Sequence, residues 1–486
     1  MGKGIIVIGI DGGTWDLIIP WTHQNELPTF QSLLNKAAWG ELQSTIPPTT
    51  APAWATFLTG RLPSETGIYD FYRYDQSLEK HVVNYRLIEG RDLIARLEAA
   101  GRSQVVVNVP MTYPPRSHGV NTTLVSGMLT PTIDSCSADR VLIEQLKSAG
   151  YKIEPHGTPE EIGHSQYIEN VLRNLRIRKE IFFRLIRERK PDFAMCVFRA
   201  TDILSHRYWH LHDPNHPIHN EELHAKLGDP ILAAYRALDE LLDELLDEFS
   251  DYIILLVSDH GFGPEFGCIH LNTWLLNRKY IQLRMTPATI FRRVVLRAGF
   301  TAGRAWTIAQ RIRPVRRVLS DNLERRARAT KALFLSLGDL DLRRSRAFAV
   351  GSVGTWGLVS VRSEGSLDAL LSDIESLTGP ESDEPLLKQV HGPLSSAGVP
   401  NLILEWRDGY VTSPYLSRGS SISPVQEERT GCHRSNGLLA AYGPKIRRST
   451  RIHGAAIQHV RGMILEALGI GVEEPKGGNP LLEVLE

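Results

Sequence analysis

The chain has 486 residues, 42% hydrophobic and 23% charged, the proportions of a globular protein rather than a disordered or fibrous one. Lys+Arg 55 balance Asp+Glu 55, so a whole-chain electrostatic grip on duplex nucleic acid or on an anionic membrane is not expected, although local patches stay open. Cys136, Cys196, Cys268 and Cys432 lie far apart with no CxxC, which argues against a disulfide framework and against a thiolate metal site.

The opening apolar run, Ile5–Ile10, is strand-sized and Asp11 ends it. It is too short for a signal segment or a membrane span, so a cytoplasmic chain with no membrane span is expected. Similar continuous runs recur at 104–109, 192–198, 252–257, 401–406 and 437–442. Continuous rather than alternating runs suit strands covered on both faces. Between them the spacing predicts helices over 92–100, 138–149, 165–188 and 219–249, the last ending in an acidic, leucine-rich amphipathic stretch. Strands alternating with helices predict an α/β sandwich with a mainly parallel central sheet and helices on both faces. One segment differs: residues 292–346 carry 15 Lys/Arg against Asp321, Glu324, Asp339 and Asp341. We expect a basic helical insert over 286–344, a solvated cap or a docking face for an anionic substrate or partner. The catalytic core is then 1–285 and 345–486.

Several residues could carry chemistry. Asp11, directly after a buried strand and before Gly12-Gly13, stands where ligands bind at the carboxyl edge of open α/β sheets, or else caps the next helix. In Pro47-Pro-Thr-Thr50-Ala-Pro52-Ala-Trp, Pro52 suits the first turn of a helix, which puts Thr50 at or beside the N-cap. Thr50 is then either a plain cap or a hydroxyl placed where amide groups welcome a phosphate. Threonine is a weak nucleophile unless a metal or base activates it, so the second reading needs a metal. Asp202-Ile-Leu-Ser-His206 sets a carboxylate and an imidazole four apart on one helical face. Asp259-His260 closes the run 252–257, and His433 precedes 437–442. His210, His212, His216 and His219 read as a polar loop, with His210 a lesser ligand candidate. Three Asp, three His and one Thr, with no thiolate, suit zinc, manganese or iron, and the set divides into two metals about 4 Å apart.

These pieces resemble the alkaline phosphatase superfamily, and within it the type I phosphodiesterase/nucleotide pyrophosphatase family. The matching stretches are the strand with Asp11-Gly-Gly; Pro-Pro-Thr-Thr50-Ala-Pro-Ala-Trp through Leu-Thr-Gly-Arg-Leu-Pro-Ser-Glu-Thr-Gly67-Ile; Thr-Asp202-Ile-Leu-Ser-His206-Arg-Tyr-Trp; Ser-Asp259-His260-Gly-Phe-Gly; and Gly-Cys-His433-Arg through Ala-Tyr-Gly443-Pro. They follow the family's order. The resemblance implies an alkaline-phosphatase-like fold and a hydrolase of phosphodiester or nucleotide pyrophosphate bonds. It implies Thr50 as nucleophile, with Thr49 as the fallback. It implies two divalent ions, zinc first and manganese or iron as alternatives. Asp202, His206 and His433 would hold one; Asp11, Asp259, His260 and the Thr50 oxygen would hold the other. Its partner is a small phosphodiester or nucleotide, and no oligomeric state follows. Three departures touch specificity. Ala53 stands where many family members have Asn, Thr66 replaces a frequent His, and only Arg434 and Arg61 are near candidates for a phosphate-gripping arginine. Thr50-Ala-Pro52-Ala-Trp54 also resembles the sulfatase signature, but threonine cannot become formylglycine, so sulfatase is rejected. A phosphomonoesterase or phosphomutase on the same scaffold, and a binding protein without turnover, are the rival readings.

Overall fold

The computed structural model describes residues 3–75, 79–116, 119–298, 335–362, 365, 367–379, 382–392, 400–417, 420–471 and 478–486. By internal packing these form two units. The first comprises 1–73, 82–266 and 425–486, and the second 74–81 and 267–424.

The first unit is built on eight strands: β1 (Ile5–Ile10), β2 (Ala38–Gln43), β3 (Gln104–Val109), β4 (Thr122–Ser126), β5 (Phe193–Phe198), β6 (Ile253–Val257), β7 (Asn436–Tyr442) and β8 (Thr450–Ile452). They lie in the order β8-β2-β7-β6-β1-β5-β3-β4. Every residue of β1, β3, β5 and β6 is buried, as continuous apolar runs covered on both faces require. Five helices matter below: α1 (Thr50–Thr59), α2 (His164–Arg189), α3 (Ala200–His212), α4 (Pro230–Glu248) and α5 (Ile457–Ala467). Ile6, Ile8 and Ile10 share one core with α2, α3 and α4. Ile5 and Val7 face the other core, with α1 and α5. That alternation along β1 makes the sheet the middle layer of a sandwich.

Seven of the eight strands run the same way; β7 is antiparallel to both β2 and β6. Its direction follows from what precedes it. Gly261–Pro264 and Gly431–Arg434 form an antiparallel ribbon, with His433 opposite Phe262. The chain leaves that ribbon beyond the carboxyl end of β6 and enters β7 at once, so β7 runs back down the sheet.

The helix expected over 219–249 is two: Glu221–Leu227 and α4. Gly228 takes φ 70°, and Asp229 caps α4 ahead of Pro230, which has no N–H to continue a helix. Strands β2, β4 and β8 were not among the expected runs; β2 alternates buried with more exposed residues, β4 opens on two half-buried threonines, and β8 has only three residues.

The second unit carries an antiparallel four-stranded sheet of Ala347–Val350, Gly357–Val361, Leu402–Trp406 and Leu387–His391. It also holds a three-stranded sheet around Gly267–His270. Within the expected basic insert, Pro287–Arg297 is a helix capped by Thr286, and residues 299–334 lie outside the described residues. Among the described residues no helix is long and apolar enough to cross a membrane.

Candidate active site

Strand register gathers the acids. In β1, Ile10 pairs with Phe198 of β5 and Gly9 with Val257 of β6. Three adjacent parallel strands thus end at one level, and each hands over to a carboxylate: Asp11 after β1, Asp259 two residues after β6, and Asp202 in the first turn of α3 after β5. This is the carboxyl edge, where parallel sheets present their loops to ligands. Gly12 takes φ 68° and its N–H donates to Asp259 Oδ1 (3.2 Å). A Cβ there would lie 2.8 Å from the Phe262 ring, so glycine meets both the turn and the close approach. His206 stands one turn after Asp202 on α3. His433 arrives from the ribbon, and a Cβ on nearby Gly431 would strike the Ser205 carbonyl at 2.3 Å. Thr50 is the first residue of α1, while Thr49 is the N-cap and makes no side-chain cap bond.

All seven sequence-derived residues meet here. Asp202 Oδ1, His206 Nε2 and His433 Nε2 form a triangle with sides of 3.4, 3.0 and 3.4 Å. His260 Nε2 lies 3.6 Å from Asp11 Oδ1, 3.4 Å from Asp259 Oδ2 and 3.3 Å from Thr50 Oγ1. The two groups adjoin, since the His260 and His433 rings stack at 3.6 Å and Asp202, His260 and His433 offer ligand atoms within 4.8 Å of one another. Asp11, Thr50, Asp202, Asp259, His260 and His433 are buried; His206 is partly exposed. His210 is absent from these groups, because its ring bonds the Thr430 hydroxyl (3.2 Å).

The hydrogen bonding tests whether cations fit. His206 Nδ1 contacts the Gly431 carbonyl (2.8 Å), His433 Nδ1 that of Pro48 (2.9 Å) and His260 Nδ1 that of Gly261 (3.1 Å). Carbonyls only accept, so each Nδ1 carries the proton and each Nε2 presents a lone pair to the cluster. His206 and His433 then face lone pair to lone pair at 3.0 Å. On the other side, Asp11 Oδ1, Asp202 Oδ1 and Asp259 Oδ2 are buried without a hydrogen-bond partner among the described residues. Buried acceptors pointed at one another are costly unless a cation lies between them. The donor set therefore fits divalent ions.

Electrostatics agree. Burial, then the Asp259 charge, push Asp11 well above the usual carboxylate range. Burial and Asp202 raise Asp259 to about 8. Burial also opposes ionisation of Asp202, but Arg199, which donates to its Oδ2, helps to hold it well below the usual range. Burial lowers His206, and burial with the neighbouring His260 lowers His433 further, so both stay neutral and able to bind a metal.

The sequence reading missed Arg199. It is 8% exposed and donates to Asp11 Oδ2 from Nε (3.1 Å), to Asp202 Oδ2 from Nη2 (3.0 Å) and to Glu154 Oε2 from Nη1 (2.5 Å). Burial opposes its charge, but the three carboxylates hold its pKa above the ordinary guanidinium value. The signal was legible: a charged residue directly after the all-apolar run 193–198, the same signal that marked Asp11.

The family Type I phosphodiesterase / nucleotide pyrophosphatase matches residues 5–332. No curated protein sequence matches significantly. Among solved structures, the chain is similar to phosphonoacetate hydrolase from Sinorhizobium meliloti 1021 in complex with phosphonoformate, with TM-score 0.58, 13% identity and 96% of each chain covered. It is also similar to human ectonucleotide pyrophosphatase / phosphodiesterase 5, with TM-score 0.54, 10% identity, and 99% of this chain and 100% of that one covered. An inactive threonine-to-alanine form of the murine counterpart, in complex with AMP, matches with TM-score 0.54, 11% identity and the same coverage. The fold is thus alkaline-phosphatase-like, and the chain belongs to the type I phosphodiesterase / nucleotide pyrophosphatase family of phosphoric ester hydrolases.

Proposed function

We propose that the protein hydrolyses a phosphodiester or nucleotide pyrophosphate bond by way of Thr50, at a site holding two divalent cations, zinc first and manganese or iron as alternatives. The carrying observation is the convergence of three carboxylate oxygens, without a hydrogen-bond partner among the described residues, and three imidazole lone pairs beside the Thr50 hydroxyl. Asp202, His206 and His433 would hold one ion, and Asp11, Asp259, His260 and Thr50 the other. Such ions supply Lewis acidity toward the phosphoryl oxygens, the leaving group and the attacking oxygen.

The chain's own contribution is placement. Thr50 Oγ1 is buried at the first residue of α1, and a helix N-terminus favours an anion. The hydroxyl oxygen lies 3.3 Å from His260 Nε2, so both atoms face the same corner of the site. Thr50 Oγ1 bonds to phosphorus as the bond to the leaving group breaks, and water then cleaves the phosphothreonine, regenerating the hydroxyl. In support, the murine neighbour is described as inactive when a threonine becomes alanine.

A diester is favoured over a monoester. The extra charge of a monoester asks for a cationic clamp, yet the Arg434 guanidinium donates to the carbonyls of His433 (3.0 Å) and Pro264 (2.8 Å). The test is a panel comparing a bis-aryl phosphodiester with an aryl phosphomonoester, with chelator and with each metal restored. Metal-dependent turnover of the diester is expected to dominate; faster monoester turnover, or activity indifferent to EDTA, would overturn the proposal.

A further inference from the structure

Arg199 is placed to act on both groups of the site at once. It is the last residue before α3, next to Phe198, whose pairing with Ile10 sets the level of Asp11. Although it is the N-cap residue of α3, its guanidinium has only donors and cannot cap the helix N–H groups. Instead the guanidinium divides its three nitrogens among three carboxylates: Asp11, Asp202 and Glu154. On both aspartates it takes Oδ2. On both, Oδ1 is the oxygen left buried, without a hydrogen-bond partner among the described residues and aimed at the imidazole nitrogens. The Thr201 hydroxyl tethers the same corner by donating to the Asp11 carbonyl (2.6 Å).

We propose that Arg199 is a positioning residue shared by both cation sites: it holds Asp11 and Asp202 by their outer oxygens, so that each offers one defined oxygen inward. The inference rests on the two-cation reading above. A guanidinium suits this task because its nitrogens diverge in one plane and can serve separate carboxylates together, whereas a lysine ammonium is a point charge on a flexible stem. Outer partners of metal-binding side chains commonly govern affinity. Orientation and charge make opposite forecasts here. If Arg199 were only a nearby positive charge, removing it would strengthen cation binding by relieving Coulomb repulsion. If it positions the two aspartates, removing it weakens binding at both sites.

The experiment is a competitive zinc titration against a chromophoric chelator, using the full chain, Arg199→Ala and Arg199→Lys, with the thermal midpoint of each recorded in EDTA and in zinc. The unmodified chain is expected to bind two ions. Each variant is expected to lose affinity at both sites by about 10–100-fold. The rise in midpoint on adding zinc should shrink, which a purely structural role would leave intact. Arg199→Lys keeps the charge and most of the volume, so it answers the question if the alanine variant does not fold. Affinities that stay unchanged or tighten in Arg199→Lys, or that fall at one site only, would overturn the shared role while leaving the two-cation reading standing. Absence of zinc binding by the unmodified chain would overturn that reading, and this inference with it.

Discussion

The two halves of the site solve opposite charge problems. Around His260, two carboxylates and a hydroxyl share a single imidazole, and both acids are driven above the usual carboxylate range even though Arg199 donates to Asp11. Around His206 and His433, one carboxylate is shared by two imidazoles and Arg199, and Asp202 is driven below that range. The same residue type, equally buried a few ångströms apart, is therefore disfavoured as an anion in one half and favoured in the other. Burial opposes ionisation of all three acids; neighbouring carboxylates add to it at Asp11 and Asp259, whereas the partners of Asp202 outweigh it.

The largest expected effect breaks the comparison at its one hydroxyl. Thr50→Ala should lower turnover of a phosphodiester by about 10³-fold or more, with both cations still bound. Thr50→Ser should keep a substantial part, and Thr49→Ala should stay within several-fold of the unmodified chain. Steady-state turnover with metal content measured on the same samples checks this; near-normal rates in Thr50→Ala would remove the threonine from the mechanism.

Removing one acid from each half tests the partition of ligands. Asp259→Asn and Asp202→Asn should each reduce bound divalent metal from about two ions to about one, read by elemental analysis of protein prepared without chelator. Equal retention of two ions in either variant would show that the acid is not a ligand.

In EDTA the same two variants should differ in sign, which sharpens the contrast. Asp259 is held in a place that disfavours its charge, so an isosteric amide should raise metal-free stability by about 1–3 kcal/mol at neutral pH. Asp202 is a favoured anion, and its amide should lower stability by about 1.5–3 kcal/mol. Denaturant midpoints in chelator decide it; shifts of the same sign would mean that the two halves do not differ electrostatically as described.

The smallest effect concerns a buried acid outside the site. Glu265, paired with Arg429 at 3.0 Å, is raised by burial to about 7. For an acid whose folded pKa exceeds its unfolded one, the folded state binds the extra proton. Stability therefore falls as pH rises through the interval from the ordinary glutamate value to about 7. Glu265→Gln should flatten the fall in thermal midpoint between pH 5 and pH 7 by a few degrees. Parallel pH profiles for the two proteins would place the titration elsewhere.

Local chemistry was open to reading before the fold was known. Fully buried strands declare themselves as unbroken apolar runs, and a charge that ends such a run marks the sheet edge, which is how Asp11 and Asp259 stood out. The four-residue spacing of Asp202 and His206 needs only one helix to put both on one face. The gap between residues 227 and 230 was legible too, in Gly228 and Pro230, although leucine periodicity on either side obscured it. What the tertiary structure alone decided is contact across distance. Gly12 and Asp259, 247 positions apart, meet because β1 and β6 pair in one register. His433 belongs to the site because β7 runs against its neighbours, placing the start of that strand where the others end. The proton positions on the three histidines depend on carbonyls of Gly431, Pro48 and Gly261, which no side-chain motif encodes. Arg199 acquires its partners only when β1, β5 and α3 converge, since a guanidinium's role is set by which anions the fold brings within hydrogen-bond reach.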